Sequence, residues 1–110
     1  MQIFTRRDDK TTIFDLSGDF DFVNSPVVRQ SVLLEIQEGR TARVVVNLSR
    51  VRYIDSSGVA SLVEGLKASR DLGSRFILIG LTTSARQVLE LTRLLKFFEV
   101  YEGEVQALAT

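Results

Sequence analysis

Apolar and polar residues follow one another with the periods of strands and helices. Residues 3–7 and 12–16 alternate as strands do, and the polar run 8–10 between them predicts a hairpin turn whose two acids face solvent. Residues 44–46 and 76–79 are continuously apolar, which is typical of central strands covered on both faces. Because helical patterns separate these segments, the chain is predicted to be mixed α/β.

Start and stop signals predict three helices. The first runs from about residue 26 to 38, where a capping side chain precedes the only proline. The second covers residues 57–72 and closes at Gly73 as the crossover of a βαβ unit. The third covers residues 85–94, with Leu91 among its inward positions. A short strand near 100–101 and a C-terminal helical turn complete the prediction, and Phe97 and Phe98 are expected in the core.

Composition narrows the class of protein. At 110 residues, the chain is predicted to be one domain over residues 1–110. Fourteen basic residues balance fourteen acidic ones, so nucleic acid is not expected as a partner. Without cysteine or histidine the chain lacks most catalytic and metal-binding templates, so we expect no enzyme, cofactor or metal site. No signal peptide or membrane-spanning run is visible, which predicts a cytoplasmic protein that does not insert into membranes.

The predicted second helix has two distinct faces. Its apolar face should lie on the sheet and holds Val59, Leu62, Val63 and Leu66. Another face carries only small residues, namely Gly58, Ser61, Gly65 and Ala68. Small side chains allow a second surface to approach closely, so this strip either packs under a neighbouring helix or docks a partner.

The segment Asp55-Ser56-Ser57-Gly58 joins a predicted buried strand to this helix. A helix N-terminus presents free N–H groups and the positive end of the dipole, and so suits a group that will carry an anion. The simplest interpretation is a capping turn, because Asp, Ser and Gly are common there. One cap needs only one side chain, however. If Ser57 caps the helix, Ser56 is spare and becomes the candidate for phosphorylation.

Several segments resemble the STAS domain (sulphate transporter and anti-sigma factor antagonist), especially free-standing anti-sigma factor antagonists. The resemblance covers residues 12–108 and rests on the segments 16–21, 45–48, 53–58, 73–80 and 88–92. It implies a STAS-like α/β fold with a mixed four- to five-stranded sheet, an N-terminal hairpin and helices packed mainly on one face.

The resemblance also implies a switch. A serine kinase that doubles as an anti-sigma factor would phosphorylate Ser56, and the unmodified protein would bind that kinase. A metal-dependent serine phosphatase would restore the serine. The acidic pair flanking the site maps to Asp21 and Asp55, and Ser57 matches a position that is Ser or Thr in such motifs. The predicted partner surface joins these residues to the small-residue strip.

Some features depart from the family or leave alternatives. Many antagonists have Leu-Gly where this chain has Val59-Ala60, and a glycine near the end of the third helix where this chain has Arg93. A different class remains open, a STAS subunit of an ABC-type lipid or envelope transporter bound to its ATPase. The first helix is apolar on two sides, with Val27 and Leu34 on the second, which predicts a homodimer or second-partner contact there.

Overall fold

The computed structural model describes residues 1–39 and 41–110, and these residues form a five-stranded sheet in the order β1-β2-β3-β4-β5. The strands are β1 Gln2–Asp8, β2 Thr11–Phe20, β3 Arg43–Ile54, β4 Arg75–Ile79 and β5 Glu99–Tyr101. β1 and β2 form the antiparallel hairpin, and the remaining neighbours are parallel. The predicted hairpin and mixed sheet are confirmed.

Helices connect the parallel strands in chain order. They are α1 Ser25–Glu38, α2 Ser56–Leu72, α3 Thr83–Leu91 and α4 Glu104–Leu108, with a short 3-10 turn at Leu95–Phe97. Each of α1, α2 and α3 leads from one strand to the next strand along the sheet. Right-handed crossovers that advance in one direction place their helices on one face. The main core lies there, between these helices and side chains such as Phe14, Val46 and Leu78.

The opposite face of the sheet carries a smaller apolar cluster. It contains Ile13, Val45, Ile77, Ile79 and Ala107. Ala107 belongs to α4, so this short helix covers the second face at one end. Val45 and Ile77 are 0 % exposed, as expected for central strands covered on both sides.

The end of α3 differs from the prediction. The helix stops at Leu91 because Arg93 adopts a positive φ of 60°, and the Leu94 N–H donates to the Leu89 carbonyl at 2.9 Å. This turn returns Leu94 to the core and leaves Leu91 82 % exposed. The inward position expected for Leu91 is therefore wrong. The core position expected for Phe97 is wrong as well, since its side chain is half exposed while Phe98 is buried.

Candidate functional site

The junction between β3 and α2 is capped by Asp55. Its backbone is extended, and one carboxylate oxygen accepts from the N–H groups of Ser57 at 2.9 Å and Gly58 at 3.2 Å. Ser57, considered above as a possible cap, therefore does not cap the helix. The helix begins one residue earlier than predicted, so the acid occupies the N-cap position, where its charge also complements the helix dipole.

Ser56 is the first residue of α2 and is exposed to solvent. Within residues 1–39 and 41–110, no side-chain hydrogen bond involves its hydroxyl. Ser57 is half-buried beside it. Because Asp55 caps the helix, the Ser56 hydroxyl is free for other chemistry.

The loop between β2 and α1 lies against the same helix end. The second carboxylate oxygen of Asp55 accepts from the Phe22 N–H at 3.0 Å. The Asp21 carboxylate accepts hydrogen bonds from the backbone and side-chain amides of Asn24, each at 3.0 Å. These bonds stabilise the conformation of the loop. Asn24 is the N-cap residue of α1 but makes no capping bond, because its side chain is engaged in this loop. The predicted acidic pair therefore occupies two adjoining turns.

This loop exposes two apolar side chains, and Phe22 borders the same depression as Ser57 and Ala60 of α2. Phe22 is 76 % exposed and Val23 is 77 % exposed. Sequence analysis did not single them out. The available signal was an apolar pair between Asp21 and Asn24, in a segment with neither strand nor helix period.

The small-residue strip of α2 lies under α1 and the sheet. A Cβ on Gly58 would lie 2.5 Å from the Phe20 carbonyl oxygen, and one on Gly65 would lie 2.7 Å from the Phe76 ring. The buried Ser61 hydroxyl donates to the Ser57 carbonyl at 3.1 Å.

Ala68, the fourth residue of the strip, is partly buried against the main core. The docking interpretation of Gly58, Ser61, Gly65 and Ala68 is therefore wrong, and the interpretation as a packing face is correct. Close approach of the sheet, through Phe20 and Phe76, and of α1 explains why these positions are small.

The outward face of α2 continues from Ser56 through Ala60, Glu64 and Lys67. These residues border a shallow groove of about 480 Å³ whose apolar floor includes Val63 and Leu94. We call this the α2 groove. A second shallow depression lies between α1 and α2, and the ion pair of Arg29 with Glu64 joins the two helices there. The four-residue spacing from Ser56 to Ala60 and Glu64 was the sequence signal for this face.

Within residues 1–39 and 41–110, no side chain that could serve as a general base forms a hydrogen bond with the Ser56 hydroxyl. Lys67 follows eleven residues later on α2, roughly 16 Å along the helix axis, too far to act as a base. Among the described residues, no group of three or more potential metal-ligating side chains is present. No helix in these residues combines the length and apolarity required to span a bilayer.

Fold and site together define a small mixed α/β domain with an exposed serine at a helix N-terminus. Among the described residues, the hydroxyl of this serine forms no side-chain hydrogen bond. The chain belongs to the STAS domain family, whose model matches residues 2–107. It is 30 % identical over 108 residues to an anti-sigma-B factor antagonist of Listeria monocytogenes, a match that covers 96 % of this chain and 92 % of the relative.

Solved structures show the same fold. An anti-sigma factor antagonist from Mycobacterium paratuberculosis superposes with a TM-score of 0.87 at 22 % identity, covering 98 % of this chain and 91 % of the other. The phosphorylated form of the Bacillus cell fate determinant SpoIIAA superposes with a TM-score of 0.78 at 20 % identity, covering 98 % and 97 %. The resemblance inferred from the sequence segments is confirmed.

Proposed function

We propose that the chain is an anti-sigma factor antagonist, a single STAS domain that acts by binding rather than by catalysis. Unmodified, it sequesters an anti-sigma factor that is also a serine kinase. Phosphorylation of Ser56 by that kinase releases it, and a serine phosphatase restores the binding form. The names of the relatives support the first part, since the Listeria protein is itself called an anti-sigma-B factor antagonist.

The single observation that carries the switch is the free Ser56 hydroxyl. It is exposed at the first position of α2, while Asp55 supplies the cap that a serine would otherwise provide. A kinase can therefore reach this oxygen without unfolding any element. The exposed apolar side chains of Phe22 and Val23, in the loop that Asp55 contacts through the Phe22 N–H, offer a contact surface that a kinase can recognise.

A phosphate on Ser56 would affect binding more than folding. It brings about −1.5 to −2 charges to a helix N-terminus, where negative charge is stabilising. It also lies next to Asp55, whose carboxylate accepts a hydrogen bond from the backbone N–H of Phe22. The added charge and bulk therefore fall within the proposed contact surface, where like charges and lost fit disfavour a partner.

Phosphate mapping tests this proposal. The protein is incubated with candidate anti-sigma factor kinases and ATP, and the modified residue is located by mass spectrometry. We expect one phosphate, on Ser56, that is absent from Ser56→Ala and retained by Ser57→Ala.

Two outcomes contradict the switch. Phosphate on Ser57 alone would assign the chemistry to the neighbouring serine. Co-purification with a transporter ATPase, with no phosphate from any kinase tested, would instead support a STAS subunit of an ABC-type transporter.

A further inference from the structure

The backbone N–H groups at the start of α2 are largely engaged by the chain itself. A helix leaves its first four N–H groups without an intrahelical partner, and an anion can bind to them. Here the Asp55 N–H donates to the Phe20 carbonyl at 3.3 Å. The N–H groups of Ser57 and Gly58 donate to one Asp55 carboxylate oxygen, at 2.9 and 3.2 Å. Only the N–H of Ser56 is therefore left for another acceptor.

The charges at this helix end favour cations over anions. The helix dipole is equivalent to about +0.5 of an elementary charge at the N-terminus, whereas an ionised carboxylate carries a full negative charge. Asp55 therefore more than cancels the dipole felt by a group on Ser56. Asp21 adds a second carboxylate in the adjoining loop. From the turn after α3, the uncharged Thr92 and Leu94 face the groove that Ser56 borders.

Basic side chains near this helix end are paired elsewhere or distant. Arg52 on β3 pairs with Asp19 at 3.4 Å, and Arg29 on α1 pairs with Glu64. Lys67 borders the far part of the α2 groove, roughly 16 Å along the helix axis from the first residue of α2. None of the ion pairs formed within residues 1–39 and 41–110 includes Asp55. A phosphate beside Asp55 would therefore not enter an existing cationic cluster.

We propose that Asp55 keeps a phosphate on Ser56 away from the N–H groups of α2, so that its charge is not neutralised at the contact surface. This inference rests on the proposed function, because it concerns the modification of Ser56. A phosphate that displaced Asp55 would bind the two N–H groups and lose part of its charge to the helix. It would also break the hydrogen bond from the Phe22 N–H to Asp55. With Asp55 in place, the phosphate projects into solvent, where an approaching partner meets its full charge.

The titration of the phosphate itself tests this role of Asp55 as a positioning residue. Phosphoserine is inserted at position 56 during translation of the full chain, and its second pKa is followed by ³¹P NMR. We expect a pKa at or above the ordinary value of about 6, because Asp55 disfavours the second negative charge. In Asp55→Ala the phosphate reaches the freed N–H groups, and its pKa should lie at least about 0.5 below that of the phosphoprotein that retains Asp55.

Amide signals separate the loss of charge from the release of the N–H groups. Asp55→Asn removes the charge but keeps a side-chain oxygen that can cap the helix. The amide proton signals of Ser57 and Gly58 should therefore move downfield in step with the phosphate titration only in Asp55→Ala. If that variant fails to fold, the same signals in the phosphoprotein that retains Asp55 still decide the question.

Two results would overturn the role of Asp55. One is a phosphate pKa as low with Asp55 present as in Asp55→Ala. The other is a downfield movement of the Ser57 and Gly58 amide signals with the phosphate titration while Asp55 is present. No kinase takes part in this experiment, so its outcome is independent of the phosphate mapping that tests the proposed function.

Discussion

A single backbone torsion at Arg93 ends α3 and shapes one side of the α2 groove. Arg93 has a φ of 60°, in the left-handed region that favours glycine, and Thr92 and Leu94 on either side of it border that groove. Glycine would adopt this torsion without strain, so the chain forms the turn with a less suitable residue.

We therefore expect Arg93→Gly to raise the free energy of unfolding by about 0.5–1 kcal/mol. Relief of the left-handed strain exceeds the extra freedom that glycine gains in the unfolded chain. Urea denaturation measures the change. Gly73→Ala is the matched control, because Gly73 closes α2 at a φ of 76° and alanine there should destabilise by about 1 kcal/mol. A destabilised Arg93→Gly would show that the arginine side chain matters more than its backbone.

At the residue scale, sequence analysis placed Ser56 at the start of a helix but did not predict which side chains surround it. Composition and spacing located the serine at a helix start, whereas the identity of the cap depended on a one-residue shift in that start. At the end of α3, where the helix stops three residues earlier than predicted, Leu91 is exposed rather than inward. Backbone torsions at a helix end decide which side chain points toward the core. The spacing of apolar residues along the sequence does not determine these torsions.

At the element scale, the buried Glu35 of α1 forms hydrogen bonds with both strands of the hairpin. Glu35 accepts from Arg7 at 2.8 Å and from the Thr12 hydroxyl at 2.8 Å, and its side chain is 10 % exposed. The hydrogen bonds from Arg7, and then that from Thr12, hold the pKa of Glu35 below its ordinary value of 4.5. A carboxylate with a lowered pKa stabilises the fold above its unfolded pKa, and this contribution is lost as the pH falls through the folded value.

Replacing this acid should change both stability and its pH dependence. We expect Glu35→Gln to lower the free energy of unfolding at pH 7 by about 2 kcal/mol, the scale of hydrogen bonds to a charged group. Between about pH 5 and 3 the variant should lose less stability than the wild type, since it has one fewer depressed carboxylate. Urea denaturation across this pH range measures both effects. Glu38→Gln, an exposed position on the same helix, is the control. Identical acid profiles for wild type and Glu35→Gln would contradict this role.

Elements were more predictable than the contacts between them. The hairpin, three crossover helices and buried strands followed from period and capping residues, because these signals are local. The sequence left open whether the small-residue strip of α2 packs under a neighbouring helix or docks a partner. Choosing between these alternatives requires knowing that α1 lies beside α2. A clash such as that of Phe76 with any side chain at position 65 becomes visible only in three dimensions.

At the scale of the whole molecule, phosphorylation is expected to act on a surface that is already formed. Ser56, the Phe22–Val23 loop and the α2 groove form adjoining surfaces on a well-packed domain, and Asp55 connects the loop to the helix. A negative charge at Ser56 is therefore expected to change recognition and to leave the core beneath it intact.

The affinity for the anti-sigma factor kinase before and after a charge is placed on Ser56 is the most direct test of this account. Isothermal titration calorimetry of wild type, the phosphorylated protein and Ser56→Asp should show at least about tenfold weaker binding for both charged forms. Their melting temperatures should stay close to that of the wild type, as should both properties of Ser57→Ala. Undiminished binding by the phosphorylated protein, or a large fall in melting temperature with binding intact, would contradict the account.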